Sequence, residues 1–246
     1  MKRARSSTNG ARHQSIDARE VFDQRASQYD QEVDRSISFT GRDASFFAAR
    51  KVALLDRLLQ AQGHELSGAS VLDVGCGTGT TDQHLVTRVK ELQGVDLSEE
   101  MVAMARTRVP GASFESYDGE KLPCATGSFD LVIAICVLHH VPPAQQLDFA
   151  DELTRVTRSG GLIAIFEHNP VNPFTRRAVR GCELDDGVEL LSAPEVGRLL
   201  TDAGARVVRR DYFLFTPFGG KLGTSLDQRL RRLPLGGQHV VIAEAG

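Results

Sequence analysis

The spacing of apolar positions changes period partway along this chain. Over residues 17–34, Val21, Phe22, Ala26 and Tyr29 fall on one side of a helix. Residues 45–60 place Phe46, Phe47, Val52, Leu54, Leu55, Leu58 and Leu59 at amphipathic spacing and stop near Gly63. Beyond that point short apolar runs alternate with helical patterns. Strands are predicted over 70–74, 91–96, 112–117, 129–137 and 161–167, with late strands over 206–215 and 238–244. Helices are predicted over 80–88, from the N-cap Ser98 to Pro110-Gly111, over 145–156, and over 194–203 before Gly204. Leu222, Leu226, Leu230 and Leu233 predict a further short amphipathic helix. The run FDLVIAICV has no polar alternation after Asp130, as expected of a central parallel strand covered on both faces. The alternation implies an α/β fold with a doubly wound sheet and helices on both faces. Residues 168–192 break it, with Pro170, Pro173 and no clean period. An irregular insert after a strand lies at the edge where open α/β sheets bind ligands.

Composition narrows the classes. The chain has 246 residues, 41% hydrophobic and 25% charged, which excludes disordered and fibrous types. Lys+Arg number 29 and Asp+Glu 32, a net charge of -3 that argues against nucleic acid as a partner. No apolar run approaches the ~18 residues of a membrane span. The N-terminus lacks the apolar stretch of a secretory signal. Cys76, Cys124, Cys136 and Cys182 form no CxxC pair, so reduced thiols and a cytoplasmic location are expected. Residues 1–19 read as a flexible basic tail. Residues 20–246 read as one domain: N-terminal helices (20–66), a ligand-binding core (67–167), the substrate-side insert (168–192) and the rest of the sheet (193–246).

The densest chemistry follows the first strand. Gly75, Gly77 and Gly79 stand between a buried strand and a helix, where bare backbone lets a ligand approach. A dinucleotide fingerprint counted from Gly75 requires a small residue at Thr80, and the third glycine comes one position early. A pyrophosphate is therefore the weaker ligand. Asp96 ends the second strand and reads as acceptor for a pair of ribose hydroxyls; the other reading is a strand-end acid that caps the next helix. Asp118 reads as acceptor for an adenine amine, or as a plain Asp-Gly turn residue.

VLDVGCGTG (71–79), GVDLSEEMVAMAR (94–106), YDGEKLPCATGSFDLVIAICVLHHV (117–141) and RVTRSGGLIAIFEHNP (155–170) together resemble the successive motifs of the class I S-adenosylmethionine-dependent methyltransferases, small-molecule type. FDQRASQYD (22–30) resembles the helix that precedes the domain in many of them. The resemblance implies a Rossmann-like seven-stranded sheet with its last strand antiparallel. It implies S-adenosyl-L-methionine as cofactor and S-adenosyl-L-homocysteine as product. It places Asp73 and the Gly75-Cys76-Gly77 turn near the cofactor's amino-acid part, with Gly79 beside it. Asp96 would hold the ribose, Leu97 and Met101 would flank the adenine, and Asp118 with Gly119 would take its amine. Cys136 would lie beneath the cofactor and Tyr29 would close over its carboxylate.

For the acceptor, His139 and His140 follow the fourth strand, and Glu167-His168-Asn169-Pro170 follow the fifth. A histidine titrates near ~6.5 and suits a general base. His168, His140 and Glu167 are the candidates, with packing and cofactor contact as the other reading for His139 and His140. Arg176, Arg177 and Arg180 read as a solvated helical face before an anion site. Adjacent Asp185-Asp186 are poor grounds for a metal, and none is expected. The expected activity is methyl transfer to a small organic acceptor, at oxygen before nitrogen or carbon, in secondary or saccharide metabolism, by a monomer or homodimer. A cofactor-binding cyclase or isomerase, a non-catalytic cofactor-binding regulator, and an NAD-dependent oxidoreductase are the alternatives.

Overall fold

The computed structural model describes residues 18–185, 187–216 and 220–246. The expected basic tail up to residue 17, Asp186 and Phe218 lie outside them. The strands are β1 (Ser70–Val74), β2 (Glu91–Asp96), β3 (Ser113–Ser116), β4 (Phe129–Ile135), β5 (Thr157–His168), β6 (Arg206–Phe213) and β7 (Gln238–Glu244). They form one sheet in the order β3-β2-β1-β4-β5-β7-β6. β7 runs antiparallel to both β5 and β6, and every other pairing is parallel.

The central strands have two buried faces, which explains their continuous apolar runs. Leu72, Val74, Val132, Ala134, Ile163, Ile165 and Val241 pack on one side against Leu153 and Val156 of α6 (Gln146–Val156) and Val196 and Leu200 of α8 (Ala193–Asp202). Their alternates Val71, Leu131, Ile133, Leu162, Phe166 and Ile242 pack on the other side with Leu55, Leu58 and Leu59 of α3 (Ala44–Gln60). Each fully buried side chain of this kind contributes about 1.5–3 kcal/mol.

Three departures from the sequence reading matter for the site. The N-terminal helix splits into α1 (Ala18–Arg25) and α2 (Tyr29–Ile37), separated by a 3-10 turn at Ala26–Gln28. The helix after β1 shrinks to α4 (Asp82–Leu85), because residues 75–81 are spent on the glycine turn. β4 stops at Ile135, since Cys136 takes a left-handed conformation at φ 58 while its N–H still donates to the Phe166 carbonyl at 2.8 Å. The insert also contains a helix, α7 (Pro173–Arg180). Asn172 caps it by accepting from the N–H groups of Phe174 and Thr175, and Pro173 stands in its first turn. Two turns are too short to show a period in so polar a segment. α5 (Glu99–Arg108) starts at its expected cap, where Ser98 Oγ accepts from the Met101 N–H at 3.1 Å, and α9 (Gly220–Leu230) occupies the leucine-spaced segment.

Asn169 ties the insert to the sheet. It is 1% exposed, and its Nδ2 donates to the carbonyls of Pro234 and Gly236 at 3.0 and 2.7 Å. Its Oδ1 accepts from the Val171 N–H, and its own N–H donates to the Gly237 carbonyl. Asn169→Ala removes its three side-chain hydrogen bonds, strands the buried Gly236 carbonyl, and is expected to lower the melting temperature by about 5–10 °C. Thermal denaturation checks this, with the half-buried cap variant Asn172→Ala giving the smaller loss.

Candidate active site

β1 and β4 are neighbours, and the chain turns sharply off both at the same edge. Gly75 and Cys76 both donate backbone N–H groups to the Val95 carbonyl, at 2.8 and 3.1 Å. Gly75 sits at φ 77, and a Cβ there would meet Val137 Cγ2 at 2.4 Å, so only glycine fits between the two turns. Gly77, at φ 53, has the Tyr29 ring 4.0 Å from where a Cβ would stand. The Gly77 N–H donates to Asp96 Oδ2 at 2.8 Å, while Asp96 Oδ1 accepts from the Ser98 N–H at 3.0 Å. Asp96 therefore links the glycine turn to the start of α5, and Ser98, not Asp96, caps that helix. Burial raises the Asp96 carboxyl, and the N–H groups of Ser98 and Gly77 oppose it.

α2 is fastened over this turn by residues that the sequence patterns did not single out. Thr78 Oγ1 donates to Asp30 Oδ1 at 2.9 Å. Arg108 Nη2 pairs with Asp30 Oδ2 at 2.5 Å, and Arg108 Nη1 donates to the Thr78 carbonyl at 2.9 Å. Tyr29, next to Asp30, is thereby held beside Gly77. Burial, then the charges of Cys136 and Asp185, push the Tyr29 hydroxyl well up, so it stays protonated.

Beneath the turn lie two buried carboxyls, Asp73 at 2% and Asp82 at 0% exposure. Asp73 Oδ1 and both Asp82 oxygens have no hydrogen-bond partner among the described residues. Burial raises Asp73 well above the carboxylate range, and the neighbouring Asp82 raises it further. Burial pushes Asp82 up to about 7. The pair holds a proton near neutrality, because two buried like charges in contact cannot both ionise at ordinary cost.

The second cluster straddles the ends of β4 and β5. Glu167 is fully buried; its Oε1 accepts from the Leu138 N–H at 2.8 Å and its Oε2 pairs with His139 Nδ1 at 2.5 Å. Burial alone would raise Glu167, yet His139 first, then His168 and His239, hold it down at about 2. Burial would lower His139, but Glu167 and Asp185 hold it well above the usual imidazole range. His140 stacks edge-on against Phe22 at 5.2 Å, and burial lowers it. His168 Nδ1 lies 3.3 Å from Gln238 Nε2, which also reaches Cys136 Sγ at 3.5 Å. Burial would raise the Cys136 thiol, but His168 and Lys51 bring it down to about 7.

A cavity of 520 Å³ joins the two clusters. Of the expected site residues it brings together Tyr29, Asp73, Gly75, Cys76, Gly77, Cys136, His140 and His168, and it adds His139, Lys51 and Asp185. Phe22, Val33, Ile37, Phe47, Phe174 and Leu214 supply an apolar wall. Glu167 does not line it; its carboxylate faces His139 instead. Gly79, Asp96, Leu97, Met101, Asp118 and Gly119 lie outside the lining, around α5 and the end of β3. Asp118 is exposed and makes a turn, with Oδ1 accepting from the N–H groups of Glu120 and Lys121 at 2.9 and 3.2 Å, which lowers its carboxyl. A shallower trough of 810 Å³ lies across α7 and includes Arg176 and Arg180, but not Arg177. Of the late aromatics, Phe213 is core at 2% exposure, Phe215 lines the cavity, and Tyr212 packs edge-on against His239.

Comparison with known proteins gives this geometry a family. Residues 71–161 match the model of a methyltransferase domain. An uncharacterized methyltransferase of Synechocystis sp. is 31% identical over 151 residues, covering 59% of this chain and 71% of that protein. A demethylmenaquinone methyltransferase of Beutenbergia cavernae is 38% identical over 109 residues, covering 44% of this chain and 45% of its own length. The magnesium protoporphyrin IX methyltransferase of Synechocystis, solved with bound S-adenosylhomocysteine, superposes with a TM-score of 0.65 at 16% identity, covering 93% of this chain and 98% of that one. The motifs in order, the sheet order and the Synechocystis relative matched over most of its length agree: the chain belongs to the class I S-adenosylmethionine-dependent methyltransferases.

Proposed function

We propose that this chain methylates a small acceptor with an apolar frame and one protic group, at oxygen in preference to nitrogen or carbon, as a biosynthetic step. The observation that carries the reading is the shape of the cavity. It joins a bare glycine turn with the buried Asp73 beneath it, an apolar wall, and a polar corner of His139, His140, His168 and Asp185.

The residues present fit S-adenosylmethionine, the family's cofactor. Its amino-acid end carries an ammonium, which the unpartnered Oδ1 of Asp73 in the cavity wall would satisfy, with Asp82 buried behind it. Gly77 leaves open backbone for it, and Tyr29 closes the turn from above. Asp96, tied to the Gly77 N–H, is the ribose acceptor in this reading. Leu97 and Met101 flank the adenine, and Asp118, with Oδ2 left over from its turn, and Gly119 border it.

The cofactor supplies a methyl on a positively charged sulfur, already activated for in-line displacement. The chain's contribution is therefore chiefly orientation and exclusion of water. Phe22, Val33, Ile37 and Phe47 from α1, α2 and α3 exclude water on the acceptor side. His168 and His140 are the candidate proton acceptors for the acceptor's protic group. Glu167 acts through His139, whose ring it orients, and is a positioning residue.

Three outcomes test this. Incubation with trideuteromethyl-labelled cofactor and a metabolite extract should yield a product in which CD3 replaces one hydrogen; consumption of a metabolite without label would indicate a cyclase or isomerase instead. Asp96→Ala should weaken S-adenosylhomocysteine binding about tenfold or more by calorimetry, as expected for a lost charge-assisted hydrogen bond. Asp82→Asn should also weaken that binding, yet stabilise the ligand-free protein at pH 8. The sign follows from the raised carboxyl. Below about 4, folded and unfolded states are both protonated and the pair costs nothing. As pH rises to about 7 only the unfolded state ionises freely, so stability is lost across that window. Removing the acid should raise the melting temperature at pH 8 by about 2–4 °C or more, with little change near pH 4.

A further inference from the structure

The polar corner has the geometry of a metal centre. His139 is held by Glu167 through Nδ1 at 2.5 Å, which fixes the ring and leaves Nε2 as its free nitrogen. That nitrogen is fully buried and has no hydrogen-bond partner among the described residues. Asp185 Oδ1 stands 3.5 Å away, too long and poorly directed for a hydrogen bond, and His140 Nε2 lies 3.4 Å from the same oxygen. With Nδ1 on Glu167, His139 Nε2 and Asp185 Oδ1 face each other across a gap wider than a good hydrogen bond. One ring nitrogen of His168 completes the group: the three donor atoms of His139, His168 and Asp185 all lie within 4.8 Å of one another. Ligands about 2.0–2.1 Å from a tetrahedral ion sit roughly 3.4 Å apart, which is the His139–Asp185 spacing.

We propose that His139, His168 and Asp185 bind one divalent transition-metal ion of the zinc type, with Glu167 as the carboxylate behind His139. Two imidazoles and a carboxylate suit such an ion better than magnesium or calcium, which prefer all-oxygen sites. The three ligands come from three separate elements: the turn after β4, the end of β5, and the 3-10 turn Glu183–Asp185 of the insert. All three line the cavity, so the remaining coordination positions face it and are open to an acceptor oxygen. That last role rests on the methyltransferase reading above, with His140 then the proton acceptor in place of His168; the ion site itself does not rest on it.

The test uses the full chain, stripped with a chelator and titrated with Co2+ and with Zn2+. Saturable uptake of about one Co2+ per chain is expected, with visible d–d absorption from nitrogen and oxygen ligands. Asp185→Asn and His168→Gln should each weaken uptake about tenfold or more, and Glu167→Gln about 10–100-fold. Circular dichroism and S-adenosylhomocysteine affinity are measured on the same samples. Absence of Co2+ uptake below millimolar concentration, or uptake unchanged in both cavity variants, would overturn the proposal and leave a proton between His139 and Asp185. If S-adenosylhomocysteine still binds in that case, only the metal inference fails; if Co2+ binds and S-adenosylhomocysteine does not, only the cofactor reading fails.

Discussion

Two carboxyls buried side by side are the constraint around which this site is arranged. Asp73 is the next-to-last residue of β1, among apolar neighbours, and Asp82 opens the helix that follows, so the glycine turn between them folds the chain back over both acids. Neither ionises freely there: burial raises both, and Asp82 raises Asp73 further while Lys51 opposes it only in part. The fold carries this destabilisation, and in the proposed reading the cofactor's ammonium relieves it. Sites that bind a charged group commonly hold such an unsatisfied counterpart in its absence. The clamp of Asp30, Thr78 and Arg108 keeps α2 in place over the turn, so the apolar wall and Asp73 share one cavity.

At the other end of the cavity the polar groups are sorted by a single backbone feature. Cys136 turns left-handed as β4 ends, and the next residues wind into a short 3-10 turn. That turn sends His139 inward to Glu167 and leaves His140 against Phe22 and the cavity. Two adjacent histidines thus acquire opposite environments: His139 is held charged-prone by acids on both sides, and burial keeps His140 neutral. The division of labour between them follows from backbone geometry, not from residue type.

Much of the fold was legible because its strands are covered on both faces and therefore read as short continuous apolar runs. The glycine turn was legible for the same local reason: a buried strand, three glycines and a helix leave few alternatives. What could not be read was pairing across long separations. Asp82 sits in the first turn of a helix, where an acid is ordinarily solvated and favoured by the dipole, so nothing local marks it as buried against Asp73. Asp185 lies in a segment without period, and its approach to His139 and His140 depends on Asn169 and α7 folding the insert back over the sheet edge. Glu167 was legible as a polar residue at the ligand edge, but its turn inward toward His139 is set by the Leu138 N–H. Asp118 shows the converse: its Asp-Gly turn was one of two local readings, and its hydrogen bonds follow that one.

The most direct measurement is the number of protons released when S-adenosylhomocysteine binds, obtained by calorimetry near pH 6.5 in buffers of differing ionisation enthalpy. If an ammonium replaces the proton held between Asp73 and Asp82, release of a substantial fraction of one proton is expected, vanishing in Asp82→Asn. Binding with no proton released, in wild type and variant alike, would contradict the account.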